Sequence, residues 1–326
     1  LLLAHPEVNV KQVVSRSNAG AYVYAAHPNL RGVTDLRFTS EDALEENDLL
    51  FCCLPHGELS RRIESLSGIA GRIIDLSADF RLDDAEAYKR WYGHDHAAPE
   101  WLNRFIYGLP ELRRKQITEA DYVSGVGCNA TASILALAPL AKAGLIERAV
   151  VDLKVGSSEG GRSAGPASHH PERSGSLRSF APAGHRHQAE VEQELGDFPL
   201  SMSVTSVERV RGILCTAHIF TTEPMEDRDL WRLFRETYAD EPFVRLVRNK
   251  TGLYRYPEDR FIYDTAGLLE VGRRTCTDES FAAALPSGQT DLCAEQWLTP
   301  VTGADTVYAE HPDGALLCES PADKGR

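Results

Sequence analysis

The sequence predicts an α/β protein of more than one domain, and three observations carry that prediction. The chain has 326 residues, more than one compact core usually holds. Short apolar runs bounded by turn residues, "DLLFCCLP" (48–55) and "GRIIDLSAD" (71–79), alternate with helical stretches such as "HGELSRRIESLSG" (56–68), the order of a parallel sheet. After residue 128 the order changes to a long apolar helix, then strands, then another helix, which reads as α+β.

The elements follow in order. "LLLAHPEVNV" reads as the end of an apolar helix running into a strand, "VNVKQVVS" (8–15). The strand–helix alternation then spans a dinucleotide-type domain over 1–127. A second domain over 128–263 opens with a helix at 129–143 and a strand at 149–157, "AVVDLKVGS". A Gly/Ser/His/Pro-rich stretch runs to about 188, "SMSVTSVERVRGILCTAHIFTT" (201–222) alternates like paired strands, and "DRDLWRLFRETYAD" (227–240) has helical spacing. From 264 to 326 the apolar pattern is irregular and three of the seven cysteines fall there, so this segment is expected to be a divergent, poorly packed or disordered tail.

Composition narrows the function classes. Hydrophobic residues at 42% and charged residues at 25% describe an ordinary soluble globular chain. A net charge of −13 argues against non-specific binding to nucleic acid or anionic membranes. Seven cysteines over this length are no disulfide scaffold, and the Cys52–Cys53 pair in an apolar strand suits a reducing cytoplasm. No apolar run is long enough to span a bilayer and no signal peptide is visible, so the expected location is cytoplasmic.

The stretch "SGVGCNATASILALAPLAKAGL" (124–145) holds the chemistry. Cys128 is either a small buried hydrophobe in a turn or a nucleophile. Gly125 and Gly127 let the backbone bend just before it, and Asn129 and Thr131 can cap a helix beginning near Ala130. At a helix N-terminus the dipole favours thiolate, and first-turn N–H groups can hold an oxyanion. A nucleophilic thiol needs a proton partner. "GHRHQAEVEQEL" (184–195) offers His185 and His187, and a helix starting there would place Glu190 beside His187 to fix its tautomer. The same cluster reads alternatively as a solvated face or a metal site, but no CxxC or HExxH supports a metal, and none is expected.

"GVGCNATASILALAPL", "SADFRL", "YGLPEL", "SHHPERSGS" and "GHRHQAEV", in that order, resemble the N-acetyl-γ-glutamyl-phosphate reductase family, whose fold and chemistry resemble those of aspartate-semialdehyde dehydrogenases. The resemblance runs from about residue 1 to about 262. Arginine-pathway members carry Gly-Cys-Tyr-Pro-Thr, whereas this chain has Gly127-Cys128-Asn129-Ala130-Thr131. That variant, with "HPNLRG" (27–32) and "PASHHPERSGS" (166–176), is similar to the lysine branch, which reduces aminoadipyl phosphate on the small acidic carrier protein LysW, and in some members glutamyl phosphate on the same carrier.

The resemblance implies an NADPH-dependent reduction through a thioester on Cys128, with His187 as acid/base and His185 as the alternative. It implies cofactor contacts at Ser15 and Arg16, where a 2′-phosphate would lie, at Leu54, Pro55, His56 and Gly57, at Ser77 and Ala78, and in the "GSSEGGRSAG" loop at Ser158, Gly160 and Gly161. Arg81, Asn129, Arg173 and Arg186 are the expected substrate or carrier contacts, since an acidic enzyme meeting an acidic carrier needs a local positive patch. A homo-oligomer is expected, with no nucleic-acid or membrane partner.

The family also begins with a strand and a Gly-rich turn and closes with a helix packed on the first domain, and neither has a counterpart in this sequence. The first domain is therefore expected to be an incomplete Rossmann-type domain that binds NADP weakly or not at all. Two rival readings remain: an N-acetyl-γ-glutamyl-phosphate reductase of arginine biosynthesis, and an inactive remnant or interaction subunit.

Overall fold

The computed structural model describes residues 1–161, 165 and 168–248, and the strands at 253–255, 261–263, 269–273, 296–300 and 308–309. The expected tail at 264–326 lies outside these residues apart from three short strands. Over the described part of the chain up to residue 248 there are two compact units: one holds Leu1–Lys89 and His94–Gly125, the other Arg90–Gly93 and the residues from Val126 to 248.

In the first unit, β1 (Val13–Val14) and β2 (Phe38–Thr39) form a small parallel pair on either side of α1 (Val23–Ala26). A second sheet, all parallel, contains β3 (Asn47–Cys52), β4 (Ala70–Asp75), β5 (Ile106–Tyr107) and β6 (Tyr122–Ser124), in the order β3-β4-β6-β5. Helices α2 (Ile63–Ser67), α3 (Ala85–Tyr92) and α4 (Pro110–Glu119) lie in the connections, as parallel strands require. The core packs Leu59, Ile63, Ile73, Phe80, Leu102 and Phe105, with the rings of Phe80 and Phe105 stacked at 4.0 Å.

Two elements are shorter than the sequence suggests. The strand expected over 8–15 is confined to Val13–Val14, and the helix expected over 56–68 begins only at Ile63. Local hydrogen bonding explains the second difference. The backbone N–H groups of Gly57 and Ser60 donate to the buried Asp79 carboxylate, and Gly57 adopts φ +81, so this stretch is a turn rather than a first helical turn.

The second unit is built on α5 (Cys128–Lys142), whose residues 129–140 are all buried. A helix apolar on every side must lie inside a core. Pro139 stands within it and supplies no N–H to the Leu135 carbonyl one turn earlier. Tyr238, at the end of α8 (Asp227–Tyr238), donates its hydroxyl to that carbonyl at 2.7 Å. Between these helices the chain forms β7 (Ile146–Val155), α6 (His170–Arg173), β8 (Arg178–Ala181), α7 (Gln188–Leu195), β9 (Leu200–Ser206) and β10 (Ile213–Thr221).

The strands expected to pair with each other over 201–222 do not. β7 lies between them, parallel to β9 and antiparallel to β10. With β11 (Val244–Arg248), β12 (Leu253–Arg255), β13 (Phe261–Tyr263), β14 (Leu269–Arg273), β15 (Gln296–Pro300) and β16 (Tyr308–Ala309) following, the large sheet runs β11-β14-β15-β10-β7-β9-β8. Along β7, Ala149, Val151, Leu153 and Val155 are buried while Val150 is exposed, the alternation of a sheet with one face in the core.

Candidate active site

Cys128 is exposed and is the first residue of α5. The N-cap is Gly127, with extended backbone and no side-chain cap, so the expected capping by Asn129 and Thr131 is not what forms. Thr131 is already one turn inside the helix. Its N–H and its hydroxyl both donate to the Gly127 carbonyl, at 2.8 and 2.9 Å. Asn129 is 1% exposed, and its Oδ1 has no hydrogen-bond partner. The helix therefore presents first-turn N–H groups beside an accessible sulfur.

The two buried described cysteines make the contrast: burial, with Asp75 second, pushes the Cys52 thiol up to about 12, and Cys215 is raised further still. Cys53 is exposed, but desolvation and then Asp75 raise its thiol too.

The His-Arg-His stretch enters from α7. His187 is the N-cap of that helix and Glu190 lies in its first turn. Both are buried, at 3% and 0% exposure, and Glu190 Oε1 lies 3.8 Å from His187 Nε2. The other carboxylate oxygen accepts the Gly127 N–H at 2.8 Å. A Cβ on Gly127 would stand 2.5 Å from Oε1, so glycine is required for the carboxylate to sit there. One buried carboxylate thus joins the turn before Cys128 to the histidine helix.

His185 plays a different part. Its Nδ1 accepts the His187 backbone N–H at 3.2 Å, which places the proton of the neutral ring on Nε2. Burial, then the Arg186 charge, lowers it to about 4. The two rings meet edge to face at 4.5 Å.

In the first unit, polar side chains gather past the C-terminal ends of β3 and β4. Ser77 donates its N–H and its hydroxyl to the two Asp75 oxygens, each at 2.8 Å, and Ala78 N–H donates to His56 Nδ1 at 2.9 Å. Burial raises Asp75 to about 6 against the pull of those Ser77 bonds. Past β1, Ser15 Oγ accepts from Asn18, and Arg16 pairs with Glu41 at 3.2 Å and Glu58 at 3.7 Å while staying largely exposed.

Two family models match. "Semialdehyde dehydrogenase, NAD binding domain" covers residues 1–120 and "Semialdehyde dehydrogenase, dimerisation domain" covers 128–268. The chain belongs to the semialdehyde dehydrogenase family. A Thermomicrobium roseum relative, bearing the name of a LysW-L-2-aminoadipate 6-phosphate reductase, is 56% identical over 269 residues, covering 80% of this chain and 76% of the relative. The LysW-L-2-aminoadipate 6-phosphate reductase of Deinococcus radiodurans is 45% identical over 275 residues, covering 83% and 79%. Among solved structures, aspartate semialdehyde dehydrogenase II from Vibrio cholerae shares the fold, with a TM-score of 0.53 at 13% identity over 78% of this chain and 83% of that one.

As a member of that family the chain is an oxidoreductase with an NAD-binding domain and a dimerisation domain, and its relatives bear the names of LysW-linked reductases. Among its described residues, no group of three or more His, Cys, Asp or Glu side chains could hold a metal ion, and no helix is long and apolar enough to cross a membrane.

The remaining expected residues fall in distinct settings. Arg81 is 9% exposed and its Nε donates to the Gly125 carbonyl at 2.9 Å, bracing the turn that leads to Cys128. Arg173 is 4% exposed and donates to the carbonyls of Val155 and Val207, at 2.6 and 3.1 Å, tying two strand ends together. Arg186 is exposed. Arg173, Arg186 and Arg178, the last not anticipated from sequence, surround Glu159 and offset the desolvation that raises its carboxyl. In the "GSSEGG" turn the N–H groups of Gly156, Ser157 and Ser158 donate to Gly212, Arg209 and Val210, so they cannot cradle a phosphate. Gly160 is exposed, and Gly161 takes φ +76 at the end of that turn.

Sequence reasoning also passed over Asp75, Asp79 and His96, all buried. The available signal was Asp75 closing the apolar run "RIID" and Asp79 four residues on, directly before Phe80.

Proposed function

We propose that this reductase converts aminoadipyl phosphate, carried on an acidic LysW-type protein, to the semialdehyde with NADPH, through a thioester on Cys128, in cytoplasmic lysine biosynthesis. The observation that carries the proposal is the Glu190 carboxylate, bonded to Gly127 N–H beside an exposed helix-terminal sulfur and set 3.8 Å from His187.

The residues divide the work as follows. Cys128 Sγ attacks the acyl carbon, a C–S bond forms, the C–O bond to phosphate breaks, and inorganic phosphate leaves. First-turn N–H groups of α5 face the oxygen on which charge develops. His187 holds and returns the proton that the sulfur gives up and regains, and Glu190 fixes its ring. His185, held neutral, is the weaker acid/base candidate. Arg81, Asn129, Arg173 and Arg186 are the proposed substrate side, Arg186 with the greatest exposure toward carrier carboxylates.

The cofactor residues fit a dinucleotide. Ser15 and Arg16, Leu54 to Gly57, and Ser77 with Ala78 follow the C-terminal ends of parallel strands, where open α/β sheets hold nucleotides. Nothing lies within 4 Å of where a Gly57 side chain would stand, so this side of the turn is unfilled, while the Gly57 N–H is held by Asp79. Arg16, itself exposed, would exchange its half-buried glutamate partners for a 2′-phosphate, favouring NADP over NAD. Ser158, Gly160 and Gly161 are further proposed cofactor residues, Ser158 through its hydroxyl. The bound cofactor supplies hydride.

Carrier-bound glutamyl phosphate is a second reading. A Natronomonas pharaonis relative, 49% identical, is named for both aminoadipate and glutamate phosphate on LysW. A homodimer is also proposed, through the outward face of the large sheet where Val150 and Phe220 stand exposed. The test is acyl trapping. With carrier-linked acyl phosphate and no NADPH, the chain should release one phosphate and carry the acyl mass on Cys128, and Cys128→Ser should do neither. Phosphate release by the serine variant at the wild-type rate would refute the thioester.

A further inference from the structure

Asp79 is fully buried and uses every polar atom it has. Its N–H donates to Ser77 Oγ at 3.1 Å, and its carbonyl accepts from His96 Nε2 at 2.8 Å. Its carboxylate oxygens accept the N–H groups of Gly57 and Ser60, at 2.5 and 2.9 Å. The direction of the His96 bond follows from the ring's other nitrogen. Nδ1 accepts the Ala98 N–H at 3.1 Å, so Nε2 carries the proton. Behind Asp79, Asp75 holds Ser77 through both of its oxygens.

The consequence is geometric. Gly57 and Ser60 belong to the turn after β3, whereas Asp79 belongs to the turn after β4. Neither turn has a regular ladder to hold it. A charged acceptor bonded to two backbone N–H groups is about twice as strong as a neutral one, and inside the core it has no water to exchange with. The left-handed Gly57 is held by one of these bonds. His96, from the connection between α3 and β5, fixes the Asp79 backbone from behind.

We propose that Asp79 is the positioning residue of the cofactor cradle: it locks the turn after β3 to the turn after β4, so that Leu54 to Gly57 and Ser77 with Ala78 are shaped before the dinucleotide arrives. This rests on the assignment of those two turns to the cofactor. Pre-shaping lowers the ordering cost of binding, so its loss appears in affinity for the nucleotide rather than in the chemistry at Cys128.

Asp79→Asn tests it. The amide keeps the volume but turns an NH2 toward one of two N–H donors. Expected are a dissociation constant for NADPH, read by nucleotide fluorescence, weakened about tenfold or more, and faster amide exchange at Gly57 and Ser60. The rate at which iodoacetamide labels Cys128, mapped by peptide mass, should stay within about twofold. His96→Gln, which can still donate to the Asp79 carbonyl, should retain most of the affinity. Pro55→Trp, at an exposed position of the turn, reports on the cofactor assignment itself. If Pro55→Trp weakens NADPH and Asp79→Asn does not, the positioning role is wrong and the assignment stands. If neither variant weakens NADPH, the assignment falls and the role with it. Cys128 labelling changed by much more than about twofold in either direction in Asp79→Asn, in step with lost NADPH affinity, marks a general disturbance of the fold and also overturns the role.

Discussion

The Glu190 carboxylate occupies the space that a side chain on Gly127 would need, and it accepts that residue's N–H at 2.8 Å. The turn that sets the cysteine and the helix that carries the histidine therefore share one fixed point. Gly127→Ala would place a Cβ 2.5 Å from Oε1 and force the carboxylate or the helix to move. We expect a stability loss of about 1–3 kcal/mol in thermal melts and a larger loss of acylation rate. Glu190→Gln, which keeps one acceptor oxygen, should melt closer to wild type yet acylate slowly. Wild-type acylation in Gly127→Ala would show that this contact does not set the sulfur.

The histidines are separated by their surroundings. His187→Ala should lower turnover by about 10²–10⁴-fold, the usual worth of a general acid/base, and His185→Gln by much less. His185 also marks the acid side of stability. Its folded value of about 4 lies below the ordinary 6.5, from burial first and the Arg186 charge second. Between those values the unfolded chain takes a proton that the folded chain refuses. Its contribution is complete above pH 6.5 and is lost as the pH falls toward 4. Melting temperatures of His185→Gln should therefore fall less steeply than wild type across that window.

The helix of residues 128–142 is legible in sequence because it is apolar on every side and two glycines precede it, and the His187–Glu190 pairing because three residues make almost one helical turn. What is not legible depends on distant partners. The 201–222 alternation marks two strands, but only the fold shows that β7 separates them. Thr131 has a capping side chain, yet its hydroxyl turns back to the Gly127 carbonyl. Arg173 reads as a cation for the substrate side, and only the fold shows its guanidinium anchored on two carbonyls that lie far apart in the chain.

Asp75 contributes to pH dependence with the opposite sign. Burial raises it to about 6, with the Ser77 bonds pulling the other way. Between pH 3.8 and 6 the folded chain keeps a proton that the unfolded chain releases, so stability falls as the pH rises through that window. Asp75→Asn can keep both Ser77 bonds, with its oxygen accepting the N–H and its amide donating to Oγ. It should gain about 1–2 kcal/mol over wild type at pH 8 and nothing at pH 4. Denaturant titrations at the two pH values measure this, and an equal difference at both would contradict it.

Tyr238 and Pro139 form a compensated pair within α5. The proline leaves the Leu135 carbonyl without its helical donor, and the Tyr238 hydroxyl supplies the bond at 2.7 Å from α8. Tyr238→Phe keeps the packing of a ring that is 1% exposed but leaves a buried carbonyl unsatisfied, which costs about 1–3 kcal/mol. Pro139→Ala restores a backbone donor to the same oxygen. In the double variant the carbonyl is satisfied within the helix, so the cost of Tyr238→Phe should shrink by about half or more. A double-mutant cycle in urea measures this coupling. Additive single effects would mean that the hydroxyl and the missing N–H are energetically independent, and the carbonyl would then need another donor.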